Sequence, residues 1–251
     1  MITLQSPGEI LFNIGPAAVH WYGVMIAAGF LIGLIVVLHA AKEQNIDQNR
    51  IFDLSALLMI CGIIFARLYY VIFDWDYFSG HLNEIFMTWQ GGLSIHGVII
   101  GGFFAMMAYT RFNKLNFLQY TDLYAYGLII GQVIGRWGNF FNTEAFGGPT
   151  NLPIRVFIPE YGYCHPTFLY ESIWNLIVFI ILFYIIRKHP RYKYGAVTCG
   201  YFVLYSAGRF FIEGLRLDNI YSFAGLHIAQ FVSLILIIAG ILGLIMLYFK
   251  R

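Results

Sequence analysis

Charge is scarce in this chain. Lys, Arg, Asp and Glu together make up 11% of its 251 residues, where a soluble domain carries roughly 25%. So few charges cannot cover a surface facing water. The net charge is +2 and no basic run is present, which excludes a protein that neutralises nucleic-acid phosphates and a charge-driven disordered chain. No Lys or Arg precedes Lys42, so a cleavable leader with a cationic start is not expected. The three cysteines, Cys61, Cys164 and Cys199, are an odd number that excludes a disulfide scaffold. Cys61 and Cys199 read as small core residues. Cys164, in a polar stretch, is expected to be exposed, with no neighbouring base. No Gly-x-Ser-x-Gly elbow and no His-Glu-x-x-His pair occurs. Tandem repeats are absent as well.

What fills the chain is apolar: 59% of residues, with a mean hydropathy of +0.70. Seven runs are long enough to cross a hydrocarbon core, which takes about 20 helical residues. They cover roughly 18–41, 51–73, 92–112, 117–136, 166–187, 195–215 and 227–249, the fourth weakened by Asp122 and Gln132. They are continuous rather than alternating, which argues against a membrane β-barrel. The expectation is an all-α integral membrane protein, a single polytopic domain over 1–251. Its Lys and Arg are uneven: ten fall in one alternating set of loops and termini, Lys250 and Arg251 among them, and three in the other. The excess marks the cytoplasmic side, so the N-terminus is expected outside and the C-terminus inside. On the outer face, segments of about 74–91 and 137–165 are expected, the latter as a small ordered arm.

Ionisable groups at membrane depth are costly and point to function by default. On this topology they gather in the outer half: His20, Trp21 and Tyr22 at the start of span one, Arg67 in span two, and Gly91–Gly97 with His96 at the start of span three. Arg136 ends span four, His165 and Glu171 open span five, and Tyr205, Arg209, Glu213 and Arg216 end span six. His20 and Trp21 also suit an aromatic belt. Asp53 and Asp122 read as caps of the helices they begin, and His39 and His189 as solvated inner-edge residues. Two groups exceed such ordinary readings. Tyr205, Arg209 and Glu213 are spaced four apart and share one helix face. Gly135-Arg136-Trp137-Gly138-Asn139 through Asn142, Glu144 and Gly147-Gly148 sets an arginine between glycines, with amides and a carboxylate beyond. Glycines permit close approach of a ligand, and a guanidinium offers phosphate a bidentate fork.

At these residues the sequence resembles the prolipoprotein diacylglyceryl transferase family. The stretch Gly135–Gly147 resembles its signature. His20-Trp21-Tyr22-Gly23, Gly91–Gly97, His165–Glu171 and the Tyr205–Arg216 stripe resemble its other motifs in order. Val98 departs from the second small residue expected after His96-Gly97. The resemblance implies transfer of the diacylglyceryl group of phosphatidylglycerol to the lipobox cysteine thiol of a prolipoprotein signal peptide in the bacterial inner membrane. The products are a thioether and glycerol phosphate. It implies neither cofactor nor metal. His96 is the candidate base, with Tyr22 assisting. Arg136 and Arg209 are candidates to stabilise charge on the departing phosphate, oriented by Glu144 and Glu213. Asn139, Asn142, Gly147 and Tyr205 complete the expected substrate-binding set. Two other readings compete: another intramembrane phospholipid-processing enzyme, which would need its own nucleophile or clustered aspartates, and a transporter, which would spread polar residues through the bilayer.

Overall fold

A computed structural model describes residues 1–15, 17–217, 222–223 and 225–249. Lys250 and Arg251, two of the ten cations that orient the chain, lie outside the described residues. The chain divides into two compact units, Met1–Val37 with Asp122–Arg251, and Leu38–Thr121.

Each of the seven apolar runs contains a helix: α1 Trp21–Glu43, α2 Gln48–Phe73, then after a short α3 (Trp75–Phe78) α4 Ile95–Phe112, α5 Phe117–Phe141, α6 Thr167–Ile180, α7 Ala196–Glu213 and α8 Ile228–Phe249. A π-helical stretch, Ile181–Ile186, prolongs α6. Among the described residues, five helices are long and apolar enough to cross a membrane: α1, α2, α4, α6 with its extension, and α8. The most apolar, α8, has a mean hydropathy of 2.7 and little of its length is buried. Its Ile235, Ile238 and Leu242 are exposed, a surface that water does not favour and lipid does. The molecule is a membrane protein.

Helices α5 and α7 are long enough but too polar for that set, for a reason visible in the first unit. Their polar groups meet each other. The Asp122 carboxylate, fully buried, accepts from Gly195 N and Thr198 N at 2.7 Å each, from Thr198 Oγ1 at 2.6 Å and from Tyr192 OH at 2.7 Å. Gln132 Nε2 donates to Tyr201 OH at 2.9 Å. Asp122 therefore does not cap its own helix, as the sequence suggested. It caps the N-terminus of α7, where orphan N–H groups favour an anion. Asp53 is likewise no cap: α2 starts earlier, and Asp47 accepts from Asn49 N at 3.0 Å.

The first unit also holds strands that the apolar pattern did not foretell. β1 (Ile2–Leu4) pairs in parallel with β4 (Ile154–Ile158), which pairs antiparallel with β5 (Gly162–Cys164), while β2 (Ile10–Ile14) and β3 (Ala17–His20) form a hairpin and β6 (Ser222–Phe223) pairs with β7 (Leu226–His227). Val156, Ile158, Cys164, Phe140 and Phe168 pack into one apolar cluster beneath the three-stranded sheet. Of the segment 137–165, residues 137–141 still belong to α5, and the two strands within 154–164 take up the N-terminal strand as a third. Cys164 is a correction: it is buried, not exposed, and burial pushes its thiol pKa up.

In the second unit α2 and α4 pack closely. A Cβ on Gly97 would sit 2.2 Å from Phe65 O and 2.6 Å from Ala66 Cα, so only glycine lets α4 start there. Two 3₁₀ turns, Leu82–Phe86 and Thr88–Gln90, lead into α4.

Candidate active site

The first unit assembles a chain of five charged side chains, four from three helices and Arg216 from the segment just after α7. Arg136 lies within the last two turns of α5, which runs on to Phe141 rather than stopping at the arginine. Its Nη2 is 2.6 Å from Glu171 Oε2. The other oxygen, Glu171 Oε1, is 2.7 Å from Arg209 Nη1. Arg209 Nη2 is 2.5 Å from Glu213 Oε2, and Arg216 Nη1 is 3.6 Å from the same oxygen. The carboxylates are buried, with side chains 3% and 1% exposed, whereas the arginines keep 13–19%. Removal from water makes an isolated carboxylate very costly, so each is stable only because guanidiniums flank it.

Two consequences decide what this chain can do. Three guanidiniums against two carboxylates leave one positive charge in excess. And Arg136 pairs with a single carboxylate among the described residues, Glu171, which does not occupy all five of its N–H donors. A partly exposed cation array of this kind is chemically suited to holding a phosphate and to stabilising charge that grows on it.

The α7 stripe is as its spacing required. Tyr205 stacks on Tyr201, ring centroids 5.2 Å apart at 10°, one turn before Arg209. The partner of Arg136, however, is not Glu144 but Glu171, whose part the sequence reading did not anticipate. Its only signal was an ionisable group one turn into an apolar helix. Glu144 Oε1 instead accepts from Asn142 Nδ2 at 2.7 Å, and Oε2 from Asn139 Nδ2 at 3.4 Å. The three side chains form their own small network where α5 ends. The backbone there is held in an unusual form: Thr143 and Ala145 have φ of 57° and 55°, a left-handed conformation that costs a non-glycine residue about 1–2 kcal/mol.

Gly147 is used for close approach of the chain to itself. Its N–H donates to His165 O at 2.9 Å, and a Cβ would meet Leu215 O at 2.7 Å. It bridges to Arg216, tying the loop after α5 to the end of α7. Tyr22 lies against Gly138, where a Cβ would be 2.8 Å from the tyrosine ring, and Trp21 stacks on Phe141 at 4.4 Å. Both anchor the start of α1 beside the end of α5.

His96 belongs to the second unit. It is exposed in the first turn of α4. Its Nδ1 is 3.4 Å from Ser94 Oγ, and its ring stacks on Tyr69 at 5.5 Å. A neutral imidazole that gives its Nδ1 proton to Ser94 keeps the lone pair of Nε2 for accepting another.

Comparison with known proteins gives a consistent result. A family profile described as prolipoprotein diacylglyceryl transferase matches residues 9–246. The chain is 48% identical over 255 residues to a protein of Acaryochloris marina, covering 98% of this chain and 93% of that relative. It is 45% identical to one of Synechocystis sp., covering 97% and 90%, and 46% identical to one of Thermosynechococcus vestitus, covering 98% and 94%. All three relatives carry the name phosphatidylglycerol–prolipoprotein diacylglyceryl transferase.

Proposed function

The chain belongs to the prolipoprotein diacylglyceryl transferase family, and from that premise we propose how its residues carry the reaction. The protein is a transferase that moves the diacylglyceryl group of phosphatidylglycerol onto prolipoprotein. In our reading the acceptor is the lipobox cysteine of the signal peptide. Its thiolate attacks the glyceryl carbon that carries the phosphate. A C–S bond forms, the C–O bond to the phosphate breaks, and glycerol phosphate leaves with the electron pair.

The observation that carries this reading is the Arg136–Glu171–Arg209–Glu213–Arg216 chain with its excess positive charge. Negative charge builds on the phosphate as the C–O bond breaks. Donors already fixed in place stabilise that charge without reorganising. Arg136 and Arg209 take the phosphate, with Glu171 and Glu213 fixing their planes. A free thiol has a pKa near 8.5 and gains from a base. His96 takes that proton on Nε2. Tyr22 and Tyr205 border the lipid head, and Asn139, Asn142 and Glu144 shape the mouth where α5 ends.

The same reading sets the chain in the bilayer. We take α5 and α7 as two further spans whose polar faces are turned from lipid, giving seven in one polytopic domain. The lysine and arginine bias supports a reading with the N-terminus outside, the C-terminus inside and the site in the outer leaflet of the bacterial inner membrane.

The test is product analysis. Purified protein, acyl-labelled phosphatidylglycerol and a lipobox peptide are expected to yield a thioether-linked diacylglyceryl peptide and glycerol phosphate in equal amounts. Free fatty acid or free diacylglycerol formed without labelled peptide would replace this reading with a lipid hydrolase.

A further inference from the structure

Arg67 sits six residues before the end of α2, 8% exposed, and no carboxylate pairs with it among the described residues. Its guanidinium is spent on backbone. Nε donates to Ile85 O at 2.8 Å, Nη1 to Gly91 O and Gly92 O at 3.0 Å each, and Nη2 to Glu84 O at 2.5 Å. The nearest carboxylate along that segment, Glu84, accepts instead from Tyr77 OH at 2.7 Å. The Phe78 ring lies 5.1 Å from the guanidinium carbon. Four donors in one plane thus satisfy four carbonyls of a segment that has no sheet partner. Such carbonyls are costly where water is scarce, and only a guanidinium carries a fork wide enough to reach them together.

The approach is tight. Gly92 has φ of +70°, and a Cβ there would lie 2.3 Å from Arg67 Nη1. Two residues on, Ser94 N donates to Ala66 O at 3.1 Å. Ser94 Oγ is the group beside His96 Nδ1, and Tyr69 is the ring beneath His96. One turn of α2, from Ala66 to Tyr69, therefore holds the whole approach to His96: a carbonyl for Ser94, a guanidinium for residues 84–92 and a ring for the imidazole.

We infer that Arg67 is a positioning residue for His96, setting the turn that fixes the imidazole through Gly91, Gly92 and Ser94. The inference rests on the reading of His96 as the base.

Arg67→Lys keeps the charge but supplies its donors from one point. It is expected to lower kcat by about 10–100-fold, the scale of a slight misplacement of a reacting group. The KM for phosphatidylglycerol should stay within about twofold, since the phosphate clamp is untouched. In a His96→Gln background the same change should cost less than about twofold, because two changes acting through one group do not multiply. Gly92→Ala, which pushes the guanidinium from the other side and leaves every charge in place, should behave likewise and serves if Arg67→Lys does not fold. A full multiplicative loss in the His96→Gln background overturns the inference, as does unchanged kcat in both variants. If His96→Gln itself turns over at the wild-type rate, the base reading falls and takes this inference with it. If His96→Gln is impaired and the losses still multiply, only the positioning role falls.

Discussion

Replacing Glu171 by Gln tests the ionic chain at its hub. The carboxylate is 2% exposed and lies 2.6 Å from Arg136 and 2.7 Å from Arg209. Gln keeps the shape and one acceptor but turns an NH₂ toward a guanidinium. Breaking a buried pair by neutralising one partner costs about 3–5 kcal/mol, mostly from the charge left behind. The loss is uneven. Arg209 keeps Glu213 at 2.5 Å, whereas Arg136 keeps no ionic partner among the described residues. Arg136 should therefore lose its fixed plane while Arg209 holds. Removing one preorganised donor costs about 10²–10³ in rate, so kcat should fall by that factor. The array meanwhile gains one unit of positive charge, so apparent affinity for phosphatidylglycerol should hold or tighten. Glu171→Asp, one methylene shorter, cannot reach both arginines and should also be impaired. Single-turnover transfer to a lipobox peptide, with lipid binding measured separately, gives both quantities. A Gln variant within about threefold of wild-type kcat would refute the claim that Glu171 orients Arg136.

Three further outcomes follow from the same geometry. A reporter fused after Arg251 should be active only in the cytoplasm; periplasmic activity would move the ionic chain to the inner leaflet. Asp122→Ala, which leaves two N–H groups of α7 and the Thr198 and Tyr192 hydroxyls without their acceptor, should destabilise by about 3–5 kcal/mol, seen as a lowered Tm, and stability equal to wild type would deny its capping of α7. Cys164, whose raised pKa keeps it a thiol to higher pH, should react with iodoacetamide only after unfolding and remain slow in the folded protein at pH 8.

Much of this was legible in the chain, and the omissions have a common cause. The Tyr205–Arg209–Glu213 stripe could be read because helix spacing alone aligns residues four apart. The Arg136–Gly147 stretch could be read because its polar residues are neighbours in sequence. That same nearness points Glu144 to Arg136, and the structure gives the place to Glu171, 35 residues further along and on another helix. No local pattern signals such a partner. Sequence position alone makes Asp122 a cap of the helix it begins, whereas its acceptor role belongs to α7, which starts more than 70 residues later. Strand β1 escaped notice because three residues carry no period and its partner is β4 at Ile154–Ile158. Arg67 was visible as an expensive residue, but only the backbone of residues 84–92 shows what it holds.

The central claim is that the guanidinium of Arg136 grips the phosphate that leaves. Arg136→Lys isolates it, because charge is kept and the planar fork is lost. Measured in a single turnover from labelled phosphatidylglycerol to a lipobox peptide, the lysine variant should transfer about 10²–10³-fold more slowly. Its lipid affinity should change far less, since one charge remains and Arg209 is still held by Glu171 and Glu213. If Arg136 were only an interfacial anchor at the end of α5, lysine would serve as well. Wild-type turnover in Arg136→Lys would contradict the phosphate grip outright.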